Sequence, residues 1–362
     1  MSIKTLNYLA PINPLGYGQV GLNLFLELSR KDVDIKLWPI GGVDCPEHAI
    51  PLIKEAVENR CMYEVNAPSL RVWHQNDLAL HVGKGVHIGY PIFELDRFTE
   101  DERMEMASMD MLFVCSHWAK EVVCRELPHD ISPDDVVVIP LGVCRNTFNH
   151  LDNQADPRWT TFLNVGKWEY RKGHDVIAEV FSKAFEPKDR VRLWMMNHNP
   201  FLSEQQTKEW EHMYKSSPMG DKINFLPRVK THGEVAKVMS EADCGVFPAR
   251  AEGWNLELLE MMAMGKQVIT TNYSAHTEFC TRENAYLIDI DEMEDAYDGV
   301  FFDGESGGQW AKLGDNQIDA MVEAMRAVHK KKELNEAGIQ TSMEFSWERA
   351  AQKIIELDHI WG

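Results

Sequence analysis

Basic residues are in short supply in this sequence: 37 Lys and Arg stand against 57 Asp and Glu, a formal net charge of −20. Such a surface repels phosphate backbones and anionic lipid headgroups, which disfavours nucleic acid as a partner and leaves no strong membrane signal. Cysteines are few and scattered. Seven thiols with no Cys-x-x-Cys pair and no Cys/His cluster of zinc spacing fit neither a disulfide scaffold nor a zinc module, and point to a reducing, cytoplasmic setting. Long apolar runs are missing too, so no transmembrane helix is expected. Met1-Ser2-Ile3-Lys4-Thr5-Leu6 opens into a strand without a signal-peptide pattern. Heptads, solenoid repeats and low-complexity tracts are also lacking. What is there is globular: 44% hydrophobic and 10% aromatic residues over 362 positions, enough for two α/β domains.

The first half alternates strand-like and helix-like segments, as a parallel sheet requires. Thr5–Ala10, Ile35–Pro39, Leu70–Trp73, Val86–Tyr90, Met111–Cys115 and Val136–Ile139 read as strands, with helices over about 19–28 and, capped by Ser116, over 117–125. A polar linker near 141–155 precedes a second series: Thr161–Gly166, Val191–Met196, Ile223–Leu226 and Cys244–Phe247. Residues 291–312 read as a Gly/Asp-rich surface excursion, and Ser346 caps a terminal helical stripe.

Two glutamates eight positions apart carry the most information, in Ala251-Glu252-Gly253-Trp254-Asn255-Leu256-Glu257-Leu258-Leu259-Glu260-Met261-Met262-Ala263-Met264-Gly265. An apolar strand precedes them, a helix-period run follows Asn255, Gly265 caps it, and Gln267–Thr271 is the next strand. Such a turn aims free N–H groups and the positive helix end at an anion above the sheet. Upstream, Asn164-Val165-Gly166-Lys167-Trp168-Glu169-Tyr170-Arg171-Lys172-Gly173 places cations after another strand. Pro14-Leu15-Gly16-Tyr17-Gly18-Gln19-Val20-Gly21 fits Gly-x-Gly-x-x-Gly, but a dinucleotide site needs an acid ending the second strand. That strand ends Leu37-Trp38-Pro39, and the first acid, Asp44, lies in a loop.

The glutamate segment resembles the Glu-x7-Glu motif of retaining, nucleotide-sugar-dependent glycosyltransferases of the GT-B fold, family 4 (group 1). That resemblance implies two Rossmann-like doubly wound domains facing across a cleft. The expected first domain is 1–148 plus the C-terminal helix 346–362, on the acceptor side; the donor-binding domain is 149–345. It implies that Glu252 and the amides of Gly253, Trp254, Asn255 and Leu256 hold the donor sugar, and that Glu260 holds the ribose. Lys172, with Lys167 where the family usually has Arg, would face the diphosphate, and Arg171 could compensate for the missing guanidinium. Gly16 and Gly18 would approach the donor phosphates, and Arg228 and Val229 the base. Backbone recognition leaves uracil, guanine and adenine open, with a UDP-sugar the expected co-substrate.

On the acceptor side, His74 and Asn76 look like a degraded His-x-His. Gly89-Tyr90-Pro91-Ile92-Phe93-Glu94-Leu95-Asp96-Arg97 lacks the family's next His, leaving Tyr90 and Glu94 as polar candidates and Asp96 as another. His74 as a packed core residue is the competing reading. Ser274-Ala275-His276-Thr277-Glu278 matches in position the loop before the family's Pro-Glu or Thr-Glu pair, and Glu278 could equally cap the next helix. In residues 1–148, 13 Lys and Arg face 21 Asp and Glu, which favours a soluble acceptor. No segment is read as the Asp-x-Asp metal motif, and no metal or other cofactor is expected. Competing functions are a GT-B epimerase or phosphorylase, or a non-catalytic sugar-binding module.

Overall fold

The computed structural model describes residues 4–361; Met1–Ile3 and Gly362, the outer ends of the expected first domain, lie outside the described residues. The chain divides into two compact units. One holds Met1–Gly142, Glu305–Gly308 and Phe345–Gly362, and the other Val143–Gly304 and Gln309–Glu344. The division therefore falls at Gly142, ahead of the expected 148/149. A side chain on Gly142 would meet the backbone N of Trp347 at 2.1 Å, so the chain leaves the first unit tightly beneath the C-terminal helix Trp347–Ile355. That helix is capped by Ser346 and packs on the helix Gly16–Arg30.

The first unit carries β1 Lys4–Ala10, β2 Val33–Pro39, β3 Ser69–Arg71, β4 His87–Gly89, β5 Met111–Val114 and β6 Val136–Val138, in the order β2-β1-β3-β4-β5-β6. All of its strand pairs are parallel, and the strands run apolar because helices cover both faces. Leu112, Val114 and Val136 meet Phe93, Phe98, Met106 and Val122 in one core cluster. Ser116 Oγ accepts from Ala119 N (3.1 Å), as a cap should.

The second unit has β7 Thr160–Gly166, β8 Val191–Asn197, β9 Ile223–Phe225, β10 Cys244–Phe247, β11 Gln267–Thr271 and β12 Tyr286–Ile288, in the order β12-β11-β10-β7-β8-β9. Phe162, Leu193, Val246 and Ile269 pack against Phe181, Met321 and Met325. Each fully buried side chain of this size contributes about 1.5–3 kcal/mol. Residues 291–312 are largely exposed, as a surface excursion should be, but anchored at their base. They form an antiparallel pair, β13 Met293–Asp295 and β14 Gln309–Ala311, with Trp310 fully buried. Glu294 accepts from Arg250 Nε (2.9 Å) and Trp310 Nε1 (3.2 Å), which ties the pair to the loop after β10.

Candidate active site

The order of the second sheet reverses between β7 and β10. Outside the carboxyl ends of two such strands the following loops diverge and leave a crevice, the usual ligand position in doubly wound sheets. The loop after β7 is the Lys-rich segment, and the loop after β10 carries Glu252. Strand pairing thus joins residues about eighty positions apart.

Arg171, buried at that junction, donates to Glu169 Oε2 (2.6 Å), the Ala251 carbonyl (2.7 Å) and Glu252 Oε2 (2.9 Å). Lys172 Nζ donates to Glu252 Oε1 (2.6 Å). Lys167 Nζ stands 3.2 Å from Glu169 Oε1, with 42% of its side chain exposed against 14% for Lys172. Three cations therefore share two buried carboxylates, and Glu257 is close enough to act on Lys172 as well. Burial opposes ionisation of Glu252, but Arg171 and Lys172 outweigh it and hold its carboxyl well below the usual range. Glu169 is lowered for the same reason, and Lys172 is raised because Glu252 outweighs its burial. The expectation that Arg171 reaches a phosphate is corrected: its guanidinium turns inward as the counter-ion of the two glutamates. Gly173 is obligatory here, since its φ is +71° and a Cβ would meet the Pro248 carbonyl oxygen at 2.1 Å.

The loop after β10 is held from below. Glu252 N donates to Ser274 Oγ (2.9 Å). Asn255, at φ +88°, caps the helix Leu256–Ala263 by accepting from Leu258 N (3.1 Å), and its amide nitrogen donates to His276 Nε2 (3.0 Å). His276 is fully buried, which lowers its pKa to about 4 and keeps it a neutral acceptor. Gly253 and Trp254 are buried, with Trp254 packed on Phe279 (4.8 Å), so their side of the site consists of backbone. Leu256 opens the helix half-buried. On the β7 side, His174 Nε2 lies 3.0 Å from Asn164 Oδ1, and Nδ1 accepts from Glu169 N (3.1 Å), which locks Glu169 beneath Arg171.

Glu260 sits just over one helical turn past the cap and is almost fully buried. His232 Nδ1 stands 3.8 Å from its Oε1, too far for a hydrogen bond. Burial, then Glu257 and Cys144, push its carboxyl well above the usual range. Arg228 is exposed and Val229 half-buried in the loop after β9.

In the first unit, Tyr17 lies at the centre. Its ring contacts His74 (4.4 Å) and Trp73 (5.6 Å); its hydroxyl donates to Ile92 O (2.8 Å) and accepts from Ile92 N (2.9 Å). Glu94 is close enough to act on its charge. His74 is exposed rather than a core residue, and Asn76 is exposed as well. Two expectations fail here. Tyr90 is completely buried and donates its hydroxyl to the Ile139 carbonyl, so it can meet no ligand. At Gly18 a Cβ would lie 2.3 Å from the Asn13 carbonyl oxygen, so this glycine admits its own loop rather than a phosphate, whereas Gly16 is open and exposed.

Residues 160–300 match the family described as glycosyl transferases group 1. That segment resembles a group 1 glycosyltransferase domain. Sucrose-phosphate synthase from Thermosynechococcus elongatus superimposes with a TM-score of 0.71 over 98% of both chains, at 14% identity. HepE of Anabaena, solved with UDP and glucose, gives 0.68 over 98% of this chain and 99% of that one, at 13% identity. The fold is therefore GT-B: two parallel six-stranded sheets with helices. The gpi3 subunit of phosphatidylinositol N-acetylglucosaminyltransferase from Schizosaccharomyces pombe is 23% identical over 170 residues, 47% of this chain but only 35% of that protein's length.

Within this segment, Ser274, His276, Asn164 and His174 support the glutamate turn from below. In the segment Ser274–Glu278 the residue that faces Asn255 is His276, not the Glu278 that the family pattern singles out. Asp289-Ile290-Asp291 has the literal Asp-x-Asp spacing, yet Asp289 is taken by Arg282 and Asn272, and Asp291 by Asn316 and Gln317. No group of three His, Cys, Asp or Glu suited to a metal ion exists among the described residues. Among the same residues no helix is long and apolar enough to cross a membrane.

A buried carboxyl with a raised pKa costs stability where the unfolded chain would be ionised. The folded state keeps its proton as pH rises through the ordinary Glu value of about 4.3, so stability falls from there upward until the folded pKa is reached. Glu260→Gln should thus raise the melting temperature of the free protein at pH 7 by about 2–5 °C. The gain should vanish below about pH 4, and differential scanning calorimetry at both pH values reads it directly.

Proposed function

We propose that this chain is a retaining glycosyltransferase that moves a sugar from a nucleoside diphosphate donor, a UDP-sugar, to a hydroxyl of a soluble acceptor. The observation that carries the reading is the junction of β7 and β10. There Lys172 and Lys167 are held on two buried glutamates, and just over one helical turn beyond the Asn255 cap stands a buried carboxyl with no hydrogen-bond partner among the described residues. A diphosphate meets the first of these features and a ribose diol the second. Glu252 keeps lone pairs free for the hydroxyls of the donor sugar, and the first amides of the helix Leu256–Ala263 add their dipoles.

As the anomeric bond to phosphate breaks, negative charge grows on the leaving diphosphate, and Lys172 stabilises that charge more than it stabilises bound donor. The acceptor oxygen forms its bond to the anomeric carbon on the face the phosphate leaves. Its proton passes to the departing phosphate oxygen, so no separate base is required and the site works by positioning and charge. Acceptor-side roles for His74, Asn76 and Glu94 of the first unit belong to this same proposal. The negative balance of that unit supports a soluble acceptor.

The test is a panel of nucleotide sugars with detection of released nucleoside diphosphate. Transfer or slow donor hydrolysis supports the reading. Interconverted sugars without nucleotide release would replace it with an epimerase, phosphate-dependent release of sugar phosphate with a phosphorylase, and binding without turnover with a binding module. Because side-chain cations supply the charge, turnover is expected to survive EDTA. Loss of activity with EDTA and recovery with Mg²⁺ or Mn²⁺ would show that Lys172 and Lys167 do not neutralise the diphosphate.

A further inference from the structure

His232 is the first residue of the helix His232–Ser240, and three observations set it beside Glu260. The helix is fixed by a complete capping box: Thr231 Oγ1 accepts from Glu234 N (3.2 Å), and Glu234 reaches back to Thr231 N (2.9 Å). The imidazole stands edge-on to the buried ring of Phe148 at 6.0 Å, which limits its rotation. Its Nδ1 lies 3.8 Å from Glu260 Oε1, with 36% of the His232 side chain and 9% of the Glu260 side chain exposed. Two polar groups are thus held side by side, too far apart to bond each other, with an open approach from the histidine side.

The separation has a simple geometric complement. One oxygen placed about 2.8 Å from each atom closes a triangle on a 3.8 Å base with an angle near ~85° at the oxygen, within the range a hydroxyl tolerates. A hydroxyl also matches the chemistry, since it accepts from an imidazole N–H and donates to a carboxylate. Water would satisfy the same two atoms, but a vicinal diol adds a second donor for the other Glu260 oxygen.

We propose that His232 and Glu260 hold one ribose hydroxyl of the donor nucleotide between them, Nδ1 donating to it and a carboxyl oxygen of Glu260 accepting from it. This rests on the reading of Glu260 as the ribose contact and adds a residue that makes the site selective for ribose over deoxyribose. Burial moves the pKa of His232 down and that of Glu260 up, which disfavours a competing ion pair between them in the free protein. His232 acts here on the bound nucleotide and takes no part in the bond-making step.

Calorimetric titration of the full chain with UDP, 2′-deoxy-UDP and 3′-deoxy-UDP tests it. The wild type should bind one of the deoxy analogues on the order of ten- to a hundredfold more weakly than UDP, because the missing hydroxyl leaves both groups unpaired. His232→Ala should bind UDP about tenfold more weakly and discriminate less against that analogue, the remaining difference coming from the Glu260 contact. His232→Asn, whose amide can still donate, should restore part of the discrimination. An undiminished UDP-to-deoxy-UDP ratio in His232→Ala would overturn the proposal, as would equal binding of all three ligands by the wild type. If Glu260→Gln weakens UDP and His232→Ala does not, the ribose assignment stands and the His232 contact alone fails. If UDP does not bind the wild type at all, the nucleotide reading itself fails.

Discussion

Lys172→Ala is expected to lower kcat by on the order of a hundred- to a thousandfold while weakening nucleoside diphosphate binding far less. The reason is geometric as well as electrostatic. Lys172 is held by Glu252 through one of its three N–H groups, so its ammonium is fixed before substrate arrives and two donors remain for the leaving phosphate. A preorganised donor aimed at developing charge typically contributes about 2.7–4 kcal/mol to the barrier. Because that charge appears only as the anomeric bond breaks, the loss falls on kcat rather than on ground-state affinity. Glu252 stays paired with Arg171 in this variant, so the fold should survive. Lys167→Ala should be milder, since Lys167 is the more exposed of the two lysines and Glu169 keeps Arg171. Wild-type turnover in both variants with a verified donor would move the diphosphate site elsewhere.

Arg171→Met should be the most damaging change to the structure of the second unit, at about 3–5 kcal/mol. Its guanidinium makes three hydrogen bonds inside the protein, and both of its acidic partners are buried. Removing it leaves Glu169 and Glu252 as uncompensated buried charges near one another, with Lys172 and the half-exposed Lys167 to offset them. Urea denaturation read by circular dichroism measures the loss, and Arg171→Lys should recover part of it, because lysine keeps the charge without the fork. A pH series gives an independent check. Both glutamates have depressed pKa values, so the stability they contribute is present above the ordinary carboxylate range and disappears as pH falls through their folded values. In Arg171→Met that acid-side loss should shrink. A stability within about 1 kcal/mol of wild type, the scale of a surface change, would show that the network is solvated.

Much of the site is legible in the amino-acid sequence. The strand, Gly-bearing turn, helix and strand around Glu252 all lie where their spacing predicts, with the helix at Leu256–Ala263 and Gly265 at φ +68° closing it. Ser116 and Ser346 cap the helices that follow them, as their positions predict. These features are local: a 3.6-residue period, a side-chain oxygen three residues before an N–H, and a glycine at a left-handed position each act within one or two turns of chain. The misreadings share the opposite character. Tyr90 follows a strand at the position where an active-site residue is expected, but its hydroxyl meets Ile139 forty-nine positions away. Gly18 fits a phosphate-loop pattern, but its missing side chain makes room for Asn13.

What the sequence determined by itself was the alternation of strands and helices, the two glutamates on one turn and helix, and the Lys-rich loop after a strand. Only the tertiary structure decided which of those charges meet. The parallel pairing of β7 with β10 brings Arg171 onto Glu252 across eighty-one positions and turns inward a cation that reads as phosphate-facing. The packing of the helix His232–Ser240 sets His232 beside Glu260, and the loop after β11 supplies Ser274 and His276 under the donor turn. The physical reason is that a buried charge costs several kcal/mol until it finds a partner, and that partner is chosen by strand order and packing rather than by neighbours along the chain.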